Sequence, residues 1–300
     1  MTPFRPVRPP LGRLARLGVI LDTDDRALTL AHLCDRAGID IAWLADRAGL
    51  VDGTGARGAR GVAAGIMAEP LERAALGLFV DDDVDVEALE RSPVFSTLVA
   101  TGRLEVTWRS ASAAAPPPTG VARSRRSVML DDLAGIASAL AVGDDVVLPA
   151  WRFDDLETAA DEVRAEALES GRDPSDIGVA AIVPVSIGRT RAEADARVAT
   201  DPIFMTVGSP ADTGIFGTLE ECQDRVIALA HAGITDLRCI IPATLDVHDV
   251  IAQLTAITLG TTDVLIPGSL RSASPPPPVG WGGRGPTPVR PSISGGSRRR

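Results

Sequence analysis

The chain has 300 residues, 45% hydrophobic and 23% charged, which suits a soluble globular protein and excludes a collagen, a coiled coil or a wholly disordered chain. The net charge of -10 is unevenly placed: Arg271 to Arg300 hold six Arg and no acid, and removing those six positive charges leaves the preceding 270 residues at about -16. An acidic body lacks the basic surface that a nucleic-acid groove needs, so no nucleic-acid partner is expected.

Residues 1–15 form an N-terminal arm. Four Arg precede the first apolar run, Leu17 to Leu21, but that run is too short for the core of a signal peptide. Thr23 is placed to cap a helix over Asp24 to Ala37, with Ala27, Leu28, Leu30, Ala31 and Cys34 on one face and Gly38 as its stop. Ile39 to Ala45 is a second strand that ends at Asp46. After a Gly- and Arg-rich loop, Gly53 to Gly61, the helical segment Val62 to Arg73 is divided by Pro70. Ala75 to Val80 is the third strand, stopped by Asp81-Asp82-Asp83. Val84 to Thr101 reads as helix broken at Ser92-Pro93, and Leu104 to Trp108 is the fourth strand.

Residues 109–127 break this rhythm and read as a loop. Gly120 to Arg123 can supply a stub of a fifth strand, and Val128 to Val142 reads as helix. Asp145 to Leu148, Gly178 to Ile187 and Leu237 to Ile241 are the remaining strands, with Pro184 predicting a bulge or strand end. Asp154 to Ser170 is a strongly amphipathic helix. Thr190 with Glu193, and Thr218 with Glu221, make capping boxes for two more. Asp246 to Thr258 is the last helix. Residues 271–300 are rich in Pro, Gly, Ser and Arg, have almost nothing to bury, and are expected to be disordered.

Seven strands alternate with helices and an eighth fits near the fifth position, within about 250 residues. That is the arithmetic of an α/β (β/α)8 TIM barrel over residues 16–270, incomplete if the fifth strand fails to form. An open doubly wound sheet fits less well, because no Gly-rich fingerprint follows the first strand. Cys34, Cys222 and Cys239 are too few and scattered for a disulfide framework or a zinc site and read as small buried hydrophobes. No apolar run approaches the ~20 residues of a membrane span, and a cytoplasmic location is expected.

Several segments resemble one known group. Ala37-Gly-Ile-Asp-Ile-Ala-Trp-Leu-Ala-Asp46 resembles its second helix–strand junction. Gly171-Arg-Asp-Pro-Ser-Asp-Ile177 resembles the phrase before its seventh strand. Gly217-Thr-Leu-Glu-Glu221, with the helix ending Ala230-His-Ala-Gly-Ile-Thr-Asp-Leu237, resembles the approach to its eighth. The group is the bacterial luciferase-like monooxygenase superfamily, TIM-barrel oxidoreductases that use FMN or the deazaflavin coenzyme F420. The resemblance spans most of residues 15–260 and rests on the order and spacing of these pieces. The departures fall at the site. The family's Asp-His is Asp46-Arg47 here, the third strand ends Phe79-Val80-Asp81, the fourth ends Thr107-Trp108-Arg109, and the Gly-Gly phosphate turn at the fifth strand is missing or reduced to Thr119 to Ser127.

Chemistry in such a barrel belongs at the C-terminal ends of the strands, which draws attention to Asp46, Asp81, Trp108, Arg109, Pro149, Trp151 and Pro242. Asp46 can bond a flavin edge or a substrate, or cap the next loop. Asp81 to Asp83 can hold a cation or be a solvated turn; no spaced oxygen-ligand loop accompanies them, so no metal is expected. Trp108 and Trp151 can stack on an isoalloxazine ring or fill the core. Arg109, Arg123, Arg125 and Arg126 can grip a ribityl phosphate or belong to an exposed loop. His32, His231 and His248 lie on helices of the outer shell, and neither a nucleophile elbow nor a P-loop is present.

The resemblance implies a flavin- or F420-dependent oxidoreductase acting on a small organic substrate, as a homo- or hetero-dimer, with Asp46, Asp81, Trp108, Arg109 and Arg123 as cofactor-binding residues and no catalytic residue assigned. The loss of the Asp-His pair and of the phosphate turn motivates the alternative, a non-catalytic homologue serving as a subunit or binding partner.

Overall fold

The computed structural model describes residues 16–47, 71–80, 84–108, 124–201 and 213–242, together with residues 50, 63, 66, 204, 246, 248–249 and 251–255. The strands among them are β1 (Arg16–Asp22), β2 (Ile41–Ala45), β3 (Ala75–Val80), β4 (Leu104–Trp108), β5 (Arg125–Met129), β6 (Asp145–Pro149), β7 (Gly178–Ile187), β8 (Ile215–Gly217) and β9 (Asp236–Ile240). The helices are α1 (Ala27–Ala37), α2 (Val86–Arg91), α3 (Ser96–Ala100), α4 (Ile136–Val142), α5 (Leu156–Glu169), α6 (Arg191–Thr200) and α7 (Leu219–His231).

Eight strands close a parallel ring in the order β1-β2-β3-β4-β5-β6-β7-β9, with β9 paired back onto β1. β8 lies outside the ring and, among the described residues, pairs with Val185–Ile187, the C-terminal end of β7. The ring is the (β/α)8 barrel that the βα rhythm predicts. The N-terminal arm and the Arg-rich tail lie outside the described residues.

Strands covered on both faces carry near-continuous apolar runs, and every position of β2 and β7 is buried. Alternation sorts their side chains into two cores. Val19, Leu44, Leu78, Val106 and Cys239 pack outward against Cys34 of α1, Val163 of α5 and Leu229 of α7. Ile20, Trp43, Phe79, Met129, Val147, Ile182 and Ile240 fill the lumen. Trp43 is 0% exposed, and it fits because Gly18 on β1 and Gly77, its register partner on β3, leave room for the ring. A Cβ at Gly18 would stand 2.6 Å from the indole nitrogen, and one at Gly77 would overlap the ring.

The fifth strand is complete, and the helix expected from Val128 begins instead at Ile136, after a 3-10 turn over Leu133–Gly135. Val128 and Leu130 satisfy a helical period, but two partner strands override it: Ser127 pairs with Thr107 on one side and Asp145 on the other. The stub expected at Gly120 to Arg123 lies outside the described residues. Thr23 does not cap α1. The helix starts later, at Ala27, and the Asp24 side chain and carbonyl accept from the Arg26 and Ala27 amides. Its stop is as read: Gly38 has φ +80°, and the amide of Ile39 returns to the Cys34 carbonyl. Pro184 sits within β7 but beyond the last β6 partner, Ile182, so its missing N–H removes no β6 bond. All three cysteines are buried free thiols; burial pushes each thiol up to about 12. Among the described residues, no helix is long and apolar enough to cross a membrane.

Candidate functional site

The base of the lumen is charged. Arg16 of β1 holds Asp236 of β9 through two bonds of 3.0 Å and donates to Glu105 of β4. Arg125 of β5 grips Asp145 of β6, which also accepts from the amide of Gly178 at 3.1 Å and lies 4.0 Å from the Arg16 guanidinium. Above these lies Arg238 of β9, 1% exposed, which crosses the lumen to the hydroxyls of Thr107 at 2.6 Å and Ser127 at 3.0 Å. Its guanidinium lies 3.8 Å from the centre of the buried Trp43 ring, a cation–π stack. Burial lowers the Arg238 pKa to about 10, opposed by the charges of Glu105, Asp236 and Asp145. Burial raises that of Glu105, opposed chiefly by Arg16. Three cations and three carboxylates thus neutralise one another across five strands. The lumen layer above them is apolar.

The mouth is where a barrel of this kind does chemistry. Arg47, directly after β2, is only 6% exposed. Its Nε donates to Asp22 at the end of β1 over 3.3 Å, and its Nη1 donates to the carbonyl of Ile241 beyond β9. Arg47 thereby spans three adjacent strand ends. Beside it is a cleft of about 30 Å³ lined by Ile20, Asp22, Asp24, Arg26, Leu30, Arg47 and Pro242, among others. Asp46 stands half-buried at the end of β2, and its carbonyl accepts from the Leu50 amide at 2.8 Å. Trp151, half-buried after β6, packs against the lumen cluster, which continues into Leu50, Val198, Phe204 and Phe216. Phe204 and Phe216 meet edge to face, 6.2 Å apart.

The residues singled out from the sequence are not brought together as one group. Asp46, Trp151 and Pro242 sit at the mouth. Asp81, Arg109 and Arg123 lie outside the described residues. Trp108 shares its face of β4 with Leu104 and Val106, so its ring packs in the outer core, with the Arg126 guanidinium 5.5 Å away. Arg125 and Arg126 do not form a phosphate grip. Arg125 is at the opposite end of the barrel on Asp145, and Arg126 faces outward to Glu90 at 3.3 Å. Both begin a strand rather than end one, which places them far from the mouth. The seat of Arg47 and the whole charged base were missed. A signal existed: a charge within a short apolar strand, as in Leu104-Glu-Val-Thr-Trp108 or Leu237-Arg-Cys-Ile-Ile241, is lumen-facing and paired or it is not tolerated. Among the described residues, no group of three or more His, Cys, Asp or Glu is placed to hold a metal ion.

No family model matches the chain, and no curated protein matches it. Solved structures do. A coenzyme F420-dependent tetrahydromethanopterin reductase from Methanopyrus kandleri superposes with a TM-score of 0.58 at 15% identity, covering 80% of this chain and 97% of the reductase. A riboflavin lyase, solved with modified FMN and riboflavin, gives 0.60 at 14% identity over 84% of this chain and 93% of the lyase. An F420-dependent secondary alcohol dehydrogenase, solved with an F420–acetone adduct, gives 0.62 at 12% identity over 81% and 97%. The chain therefore shares the (β/α)8 barrel fold of these proteins.

Proposed function

We propose that the protein is a luciferase-like oxidoreductase that holds FMN or coenzyme F420 at the barrel mouth and acts on a small organic substrate in the cytoplasm. The observation that carries this reading is the match in fold: three barrels that depend on F420 or were solved with modified FMN align over at least 93% of their own length. Two described residues fit such a group. Asp46 offers a carboxylate acceptor for a ring N–H, and Trp151 offers an indole beside the lumen. Asp81, Arg109 and Arg123 complete the proposed set. When bound, the cofactor supplies hydride transfer; the chain supplies placement and exclusion of water.

One observation favours a second reading, that of a non-catalytic relative. Arg47 stands where the resembling family carries His, and it is tied to Asp22 and the Ile241 carbonyl. An absorption spectrum of the purified protein, followed by separate titrations with FMN and F420, tests both. A bound chromophore or micromolar binding of either supports the oxidoreductase. Absence of both overturns it and leaves the non-catalytic reading.

A further inference from the structure

The cleft beside Arg47 has spent its acceptors and kept its donors. Asp22 accepts from the Thr23 amide at 3.1 Å and from Arg47. Asp24 accepts from the Arg26 amide at 2.9 Å, and from Arg26 Nε and Nη2 at 3.0 and 2.9 Å. The formal charges of Asp22, Asp24, Arg26 and Arg47 cancel, so an arriving anion meets no net repulsion. A guanidinium carries five N–H groups, and the Nη2 group of Arg47 has no partner among the described residues. Arg47 is also fixed: its side chain is 7% exposed and pinned at two points, so little ordering remains to oppose a ligand. Ile20, Leu30 and Pro242 make the rest of the wall apolar, which strengthens a charge-assisted bond. The cleft's size of about 30 Å³ suits a group of two or three heavy atoms and is too small for a ring.

We propose that this cleft binds a carboxylate group, with Arg47 as its fixed donor, so that the small substrate acted on at the mouth is a carboxylic acid. The assignment of the substrate rests on the oxidoreductase reading; the carboxylate site does not. The two oxygens of a carboxylate match the planar fork of a guanidinium, which a lysine ammonium cannot reproduce.

The test needs no cofactor. Sodium acetate is titrated into the full chain at constant ionic strength and followed by saturation-transfer NMR of its methyl group. Saturable binding is expected, weakened at least about tenfold in Arg47→Lys. Leu30→Phe narrows the cleft without touching Arg47 and is expected to abolish the signal; it decides the matter should Arg47→Lys not fold. Absence of saturable binding to the unsubstituted chain, equal binding by a folded variant, or tighter binding of inorganic phosphate than of acetate would each overturn the proposal. Acetate binding without FMN or F420 binding would keep the site and sink the oxidoreductase; the reverse result would do the opposite.

Discussion

Replacing Arg238 by Met removes the charge that ties β9 to β4 and β5 while keeping most of the volume above Trp43. The variant loses bonds of 2.6 and 3.0 Å to Thr107 and Ser127 and the stack at 3.8 Å. The two hydroxyls keep each other at 2.7 Å, so neither is stranded. The carboxylates are less fortunate, because Glu105 is 3% exposed and loses one of two nearby cations. Removing one partner of a buried ionic group costs about 3–5 kcal/mol, a large share of the ~5–15 kcal/mol that holds a domain together. Urea unfolding should show that loss as a lower midpoint. Double variants sharpen it: with Glu105→Gln already present, Arg238→Met should cost at least ~1 kcal/mol less than it does alone. The dependence on pH has a definite sign. Burial holds the folded pKa of Glu105 above its unfolded value, so its charged form opposes folding. That penalty is absent below the unfolded pKa and grows as pH rises through the folded one. Loss of Arg238 raises the folded value further, so the Arg238→Met deficit should be larger at pH 8 than at pH 5. A deficit under ~1 kcal/mol, or one that shrinks as pH rises, would refute the account of the base as a mutually neutralising network.

Three further outcomes follow from the same geometry. Gly77→Ala should destabilise by at least ~1–3 kcal/mol by overpacking against Trp43, and Trp43→Phe should recover part of that loss in thermal melts. Asp35→Asn should cost about 1–3 kcal/mol, because the Asp35 carboxylate accepts the amides of Glu72, Arg73 and Ala74 at 2.6 to 2.8 Å. Burial raises the Asp35 pKa, yet those amide bonds outweigh it and leave the value lowered. Its contribution is therefore present above the unfolded pKa and lost as pH falls through the folded one, so wild type and Asp35→Asn should converge in acid melts. Thr218→Ala should cost about 1 kcal/mol, since Thr218 and Glu221 form the full reciprocal box at the start of α7, and Thr218→Ser should restore it.

The strands of this barrel were legible because each is a short apolar run bounded by charges or turns; Ala75–Val80, Leu104–Trp108 and Gly178–Ile187 match the observed limits. The fifth strand was not, because Arg125-Arg-Ser-Val-Met129 reads as polar until the lumen is known. Arg125 and Ser127 point inward to Asp145 and Arg238, and Arg126 points outward to Glu90. Periodicity measures burial against an apolar core, so it fails where the core is ionic. The capping boxes show a subtler gap. Thr218–Glu221 closes fully, while at Thr190 the Glu193 carboxylate takes the amide of Arg189 instead of returning to the cap residue. Candidates were read by their address, the strand ends, and Asp46 and Trp151 do stand at the mouth. It could not reveal that Trp108 at one strand end faces away from the lumen, because a single residue of offset turns a side chain to the other face.

The lumen is divided along its axis, and the division separates two classes of substitution. Arg16, Glu105, Arg125, Asp145 and Asp236 are all within two residues of a strand's N-terminal end, and Arg238 sits just above them. The layer towards the mouth is Ile20, Phe79, Met129, Val147, Ile182 and Ile240, all apolar. A neutral network beneath an apolar layer exerts little net field at the mouth, since its opposite charges cancel over a few ångströms. Changes in the base should therefore lower stability while leaving ligand affinity at the mouth nearly unchanged. Changes at Leu30, a partly buried wall of the cleft, should do the reverse. Acetate titration of Asp236→Asn under conditions where it remains folded checks this: affinity within about twofold of the unsubstituted chain is expected. A change of tenfold or more would show that the charged base sets the electrostatics of the mouth.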